Sequence, residues 1–156
     1  PTTVLSIQAL EQYLKKGDQV IDVGCGSGVL SIASVRLGAE EVLALDLDDA
    51  AVHSTKLNAK VNKVSEYIQV KQNNLLDRVD KQADIIVANI LAEIILRFEE
   101  NAFRLLKGGG TFIASGIIQQ KKTEVSNGLE KAGFLIEEVN QMEDWISIIA
   151  KKPVRE

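Results

Sequence analysis

Cysteine and histidine each occur once, as Cys25 and His53. A lone cysteine excludes an internal disulfide, and one cysteine with one histidine cannot complete a structural zinc site, so no metal is expected. No apolar run approaches the roughly 20 residues that a membrane-spanning helix needs. The N-terminus also lacks the basic and then apolar stretches of a signal peptide, so a soluble protein of a reducing cytoplasm is expected, without membrane association. A net charge of −4 supplies no bulk attraction to nucleic acid, and no direct binding to it is expected. There is no internal repeat, low-complexity tract or linker, and no residue pattern speaks to oligomeric state.

What is present is an ordinary globular balance. Hydrophobic residues make up 46% and charged residues 26% of 156, which suits a single domain over residues 1–156 with a real core. There is no initiator Met, and Pro1-Thr2-Thr3 runs directly into a helical pattern, the expected look of a fragment.

Helical and strand-like segments alternate along the chain. Thr2 or Thr3 is placed to cap a first helix with Leu5, Ile7, Leu10, Tyr13 and Leu14 on its apolar face, closed by Lys15-Lys16-Gly17. Strands are expected over 19–23, 41–45, 67–70, 83–88 and 111–115. Helices are expected over 29–37, 49–62, 91–106 and 119–132, with Asp49 capping the second of these. Gly108-Gly109-Gly110 reads as a break between helix and strand. Two last strands, 134–139 and 145–150, are joined by too short a link for a helical crossover, so they pair antiparallel. The pattern is α/β: a doubly wound, mostly parallel sheet with one antiparallel strand near the C-terminus.

The informative segment is Val20-Ile21-Asp22-Val23-Gly24-Cys25-Gly26-Ser27-Gly28, between a strand and a helix at the first switch of the sheet. Gly24, Gly26 and Gly28 let a ligand approach the backbone, and the helix behind offers free N–H groups. Asp46 ends the next strand, about 20 residues on, where a carboxylate accepts hydrogen bonds from two ribose hydroxyls. A dinucleotide fingerprint needs a glycine where Val29 stands. Asp22, two residues before the first glycine, would repel a pyrophosphate but could accept a hydrogen bond from the ammonium of an amino-acid cofactor. Both departures favour S-adenosylmethionine over a nicotinamide dinucleotide. Asp22 serves equally well as a brace for the loop.

Asp22-Val-Gly-Cys-Gly-Ser-Gly28 followed by Asp46 resembles motif I and the next acidic residue of class I methyltransferases, whose sheet has seven strands. The segment Asn89-Ile90-Leu91-Ala92 resembles the Asn-Ile-Leu-Ala signature of the PrmA family, the methyltransferases of ribosomal protein L11. Pro1-Thr2-Thr3, Ser115-Gly116-Ile117 and Asp144-Trp145 are similar to that family as well, so the resemblance spans essentially the whole chain. It implies that Thr3, Gly24, Asp46 and Asn89 contact S-adenosylmethionine, and that the substrate is a lysine or N-terminal amine of a large-subunit ribosomal protein. The family's N-terminal substrate-recognition domain is absent from these residues. Class I enzymes often carry an acid after the third strand for the adenine amine. Here Asn74 stands there, and its amide oxygen can accept the same hydrogen bond.

Asn89 and the Ile90 carbonyl close the fourth strand, where acceptors can orient an incoming amine, and Asn89 is the candidate catalytic residue. Methyltransferases of bases place an aromatic ring after such an Asn to stack the base. Ile90 and Leu91 stand here in a chain only 4% aromatic, which favours a protein amine over an RNA or small-molecule acceptor. A domain that binds the cofactor without turnover is the other alternative. His53 reads as surface, Cys25 as a small loop residue without a partner base, Trp145 as core or sheet cover, and Lys151-Lys152 as a solvated tail.

Overall fold

The structure is a computed structural model and describes residues 1–154. Its elements in chain order are α1 Thr2–Tyr13, β1 Gln19–Val23, α2 Val29–Arg36, β2 Glu41–Asp46, α3 Asp49–Val61, β3 Ile68–Gln72, β4 Ala83–Asn89, α4 Ala92–Leu105, β5 Leu106–Ile118, α5 Lys122–Ala132, β6 Leu135–Met142 and β7 Trp145–Lys151. The strands form one seven-stranded sheet in the order β3-β2-β1-β4-β5-β7-β6. Only β7 runs against its neighbours, pairing antiparallel with both β5 and β6.

The apolar residues of β4 explain why it lies near the centre. Ile86 and Ala88 face the core under α4 and α5, with Phe98, Leu105, Phe112, Leu129 and Phe134. Ile85 and Val87 face the opposite core, with Ala9 and Leu10 of α1, Leu30 of α2 and Ala59 of α3. A strand buried on both faces has no polar alternation to keep. The chain order jumps between β1 and β4, and the crevice above that jump is where an open α/β sheet binds its ligand.

Four local expectations are corrected. Pro1 is the N-cap of α1 and makes no side-chain cap bond, so Thr2 and Thr3 lie within the first turn. Asp48, rather than Asp49, caps α3, its Oδ1 accepting from Ala50 N at 2.9 Å. The triple glycine does not interrupt β5. A Cβ on Gly110 would lie 2.8 Å from Lys107 O and 3.0 Å from Asp84 O, so glycine admits a close backbone approach where the β4–β5 register slips. Lys151 and Lys152 are also engaged. Lys151 Nζ donates to Thr111 Oγ1 at 2.7 Å, and Lys152 Nζ donates to Phe103 O and Leu106 O, both at 2.8 Å. The second lysine thereby satisfies carbonyls at the end of α4, where a cation also suits the helix dipole.

Candidate active site

The glycine loop is shaped by the end of β2. Gly24 N and Cys25 N both donate to Leu45 O, at 2.8 and 2.9 Å, which turns the chain sharply as it leaves β1. Gly24, Gly26 and Gly28 have φ of +74°, +54° and +88°, a left-handed region costly for a side chain. A Cβ on Gly24 would lie 2.8 Å from Ile90 Cγ2, and one on Gly28 would lie 2.8 Å from Thr55 Cγ2. The loop is braced from behind by α3: Thr55 Oγ1 donates to Gly26 O at 2.8 Å, and Asn58 Nδ2 to Ser27 O at 2.8 Å. Sequence reasoning missed both residues, because polar side chains on a helix carry no mark of what they face.

Asp46 stands beside this loop. Its Oδ2 accepts from Gly26 N at 2.9 Å and its Oδ1 from Asp48 N at 3.0 Å. An ionised carboxylate has about four lone-pair sites, so both oxygens can still accept a hydroxyl. Asp46 and Gly24 line a cavity of about 230 Å³, together with Leu47, Asn74, Leu75 and Ile90. A carboxylate that accepts from hydroxyls, beside aliphatic walls for a flat base, is the lining a nucleoside requires.

A second cavity, of about 450 Å³, opens over Pro1, Thr2, Asn89, Leu91, Gly116 and Trp145. Ile90 and Ile94 line both cavities, so the two meet across that pair. Asn89 thus falls where expected, at the carboxyl end of β4. Trp145, half-buried at the start of β7, borders this cavity. Thr3 lines neither cavity; Pro1 and Thr2 occupy that edge. A groove of about 490 Å³ between α1, α2 and α3 meets the glycine loop only at Ser27 and is lined mainly by helix side chains. It is larger than either cavity, and three of its polar side chains are engaged within the protein: Arg36 Nη2 donates to Asn62 Oδ1 at 2.8 Å and Asn58 Nδ2 to Ser27 O.

Asp22 is 1% exposed beneath the loop, with Ser31 Oγ donating to its Oδ2 at 2.7 Å. Burial pushes its carboxyl up to about 6; the Ser31 hydroxyl opposes that rise and the Asp46 charge adds to it. This geometry fits the bracing role. Burial likewise pushes the Cys25 thiol up to about 11, far from a nucleophile's range. His53 is exposed on α3. Among the described residues no group of three or more His, Cys, Asp or Glu could hold a metal, and no helix is long and apolar enough to cross a membrane.

A seven-stranded sheet with a reversed β7, a glycine loop after β1 and an acid ending β2 define the class I methyltransferase fold. Within that class, the chain belongs to the ribosomal protein L11 methyltransferase (PrmA) family, whose model matches residues 1–153. It is 66% identical over 152 residues to the ribosomal protein L11 methyltransferase of Anoxybacillus flavithermus, a match that covers 97% of this chain and 49% of that protein. The chain therefore spans about half the length of the curated relatives it matches. Among solved structures it is similar to the ribosomal protein L11 methylase of Lactobacillus delbrueckii subsp. bulgaricus. That match has a TM-score of 0.94 and 35% identity and covers 97% of this chain and 79% of the other. An RNA methyltransferase from Salinibacter ruber in complex with S-adenosyl-L-homocysteine shares the fold alone, with a TM-score of 0.77 and 16% identity, covering 100% of this chain and 94% of the other.

Proposed function

We propose that this chain is the catalytic domain of an S-adenosylmethionine-dependent methyltransferase that modifies lysine or N-terminal amines of ribosomal protein L11. The observation that carries the reading is the meeting of two cavities across Ile90 and Ile94: one with the Asp46 carboxylate and Gly24, the other with Asn89 and Trp145. In this reading substrate recognition belongs to the part of the relatives that the chain does not match. Membership of the L11 methyltransferase family supports the substrate, and S-adenosyl-L-homocysteine, the demethylated form of the cofactor, bound in a protein of the same fold supports S-adenosylmethionine.

The residues present fit that cofactor. Asp46 would accept the two ribose hydroxyls, Leu47, Leu75 and Ile90 would flank the adenine, and Asn74 would accept from its amine. The glycine loop would give close approach to backbone, and Asp22 would hold the loop from beneath. Thr3, which lines neither cavity, would act through the first turn of α1. When bound, the cofactor supplies a sulfonium-activated methyl group, so no metal or covalent intermediate is needed.

The chain's own task is to present a neutral amine. Asn89 Oδ1 and the Ile90 carbonyl would accept the amine's hydrogens, leaving its lone pair free to point at the methyl. Alignment of this kind is a major source of rate in bimolecular transfer. Trp145 and Leu91 would pack against the aliphatic part of a lysine, and the same apolar walls would exclude water.

Calorimetric titration with S-adenosylmethionine tests the cofactor, with reduced nicotinamide dinucleotide as competitor. Binding that Asp46→Ala weakens is the expected result; preference for the dinucleotide would end the reading. For the substrate, the protein at the length of its relatives is incubated with radiolabelled cofactor, purified L11 and ribosomal RNA. Label is expected on L11 amines, and label confined to RNA would show the acceptor to be wrong.

A further inference from the structure

β5 carries one residue too many for its partner beside the acceptor cavity. Ala114 pairs with Ile148 and Ile117 with Ile146, so Ser115 and Gly116 together face Ser147. Such a bulge kinks a strand and re-aims what lies next to it. Ser115 pairs with Asn89 across the β4–β5 ladder, and its carbonyl accepts from Ile90 N at 3.1 Å. Gly116 has φ of +81°, and a Cβ built on it would lie 2.8 Å from Asn89 Oδ1, 2.9 Å from Ile90 O and 3.0 Å from Ile90 N. The first two of these atoms are the acceptors to which the proposed function assigns the amine.

The strand cannot make room. Ala114, Ser115, Ile117 and Ser147 are all fully buried. Asn89 and Ile90, by contrast, are half-buried at the cavity edge. A side chain at position 116 would therefore displace the Asn89–Ile90 turn rather than the strand.

We propose that Gly116 is a positioning residue for methyl transfer: the bulge, and the missing side chain at 116, set the direction in which Asn89 Oδ1 and Ile90 O accept hydrogen at the point of transfer. This rests on the methyltransferase reading above. Gly116 acts through Asn89 and Ile90 and takes no part in proton movement.

The test compares two ligands. S-adenosylhomocysteine has no group at the transfer point, whereas sinefungin carries an amine where the cofactor carries its methyl. The unaltered chain is expected to bind sinefungin the more tightly. In Gly116→Ala that preference is expected to fall about tenfold, the loss of one charge-assisted hydrogen bond, with S-adenosylhomocysteine within about twofold of its original affinity. Gly109→Ala is the matched control. It lies on the same strand with φ of +84°, but its Cβ would meet only Val154 Cγ2, at 3.4 Å. It should lower stability and leave the preference intact.

Partial unfolding scales both apparent affinities by the same factor, so their ratio survives it. Should Gly116→Ala not fold, Asn89→Ala reads the same contact from the other side and is expected to lose the same preference. An unchanged ratio in Gly116→Ala, an equal change in Gly109→Ala, or an unchanged ratio in Asn89→Ala would overturn the proposal. Failure of the unaltered chain to bind S-adenosylhomocysteine would sink the cofactor reading itself, and this proposal with it.

Discussion

Gly26 and Asp46, twenty residues apart in sequence, are joined by a 2.9 Å hydrogen bond from the Gly26 amide to Asp46 Oδ2. The carboxylate proposed to read the ribose therefore also holds the loop that would receive the rest of the cofactor. Its second oxygen holds Asp48 N, one residue short of α3. Asp46→Ala is expected to lower the stability of the unliganded chain by about 1–3 kcal/mol, because two backbone amides lose a charged acceptor. Asn74→Ala, on the exposed far side of the same cavity, should change stability by less than about 0.5 kcal/mol while weakening the cofactor. Urea unfolding of both variants checks this. Equal stabilities would mean that Asp46 serves the ligand only.

Asp22 and Ser31 lie beneath the same loop. The Ser31 hydroxyl is the hydrogen bond that holds the buried carboxyl's rise in check, at about 6. Removing it in Ser31→Ala raises the folded-state value further. Both folded chains hold the proton below about 6, so the unfolded state cancels in the comparison and the cost is smallest there, growing as pH rises above about 6. Ser31→Ala is expected to cost about 1–3 kcal/mol at pH 8 and less at pH 5. A loss independent of pH would show that the hydroxyl matters only for packing.

Gly28 meets α3 through Thr55. A Cβ at 28 would lie 2.8 Å from Thr55 Cγ2 and 3.3 Å from its Cα. Gly28→Ala should therefore destabilise through both backbone strain at φ +88° and this clash. Thr55→Ser deletes the offending methyl and keeps the hydroxyl that donates to Gly26 O. The double variant is expected to be more stable than the sum of the single effects by about 0.5–2 kcal/mol. Strict additivity in thermal melts would place the whole cost in the backbone.

These relationships mark how far the sequence could be read. Strand β4 was legible because burial on both faces leaves a continuous apolar run, and β7 was legible as reversed because the short polar link over residues 140–144 cannot hold a crossover. The places of Gly24, Asp46 and Asn89 at the ends of β1, β2 and β4 were legible because a strand's carboxyl end is a fixed place in this architecture. Helix caps were not, since Asp48 and Asp49 are equivalent on paper and only the exit angle of β2 chooses between them. Lys152 was misread for another reason. Which surface a terminal strand covers depends on the strand order β5-β7-β6, and neighbours so far apart leave no local trace. The bulge at Gly116 was invisible in the same way, since register is a property of two strands.

Glu99 on α4 provides a test of stability away from the site. It packs against α5 where a Cβ on Gly128 would lie 2.6 Å from its Oε2 and 2.7 Å from its Oε1, so glycine alone leaves room for the carboxylate. Oε2 is buried with no hydrogen-bond partner among the described residues. Burial, and then the Glu100 charge, push this carboxyl up to about 7 from 4.5, against the pull of Lys131 on α5. A raised acid binds its proton more tightly in the folded state. Stability therefore falls as pH climbs from about 4.5 to about 7, and the penalty is complete above that. The rest of the carboxylate reaches water, so solvent screening keeps the effect to about 1 kcal/mol. Glu99→Gln removes the charge at nearly constant volume. Above pH 7 it is expected to raise the melting temperature by about 2–4 °C. At pH 4 the two chains should melt together, since both then carry a neutral side chain. Melting curves at pH 4, 6 and 8 decide the matter: a gain that does not grow with pH would mean that the crowding at Gly128, and not the charge, limits the α4–α5 contact.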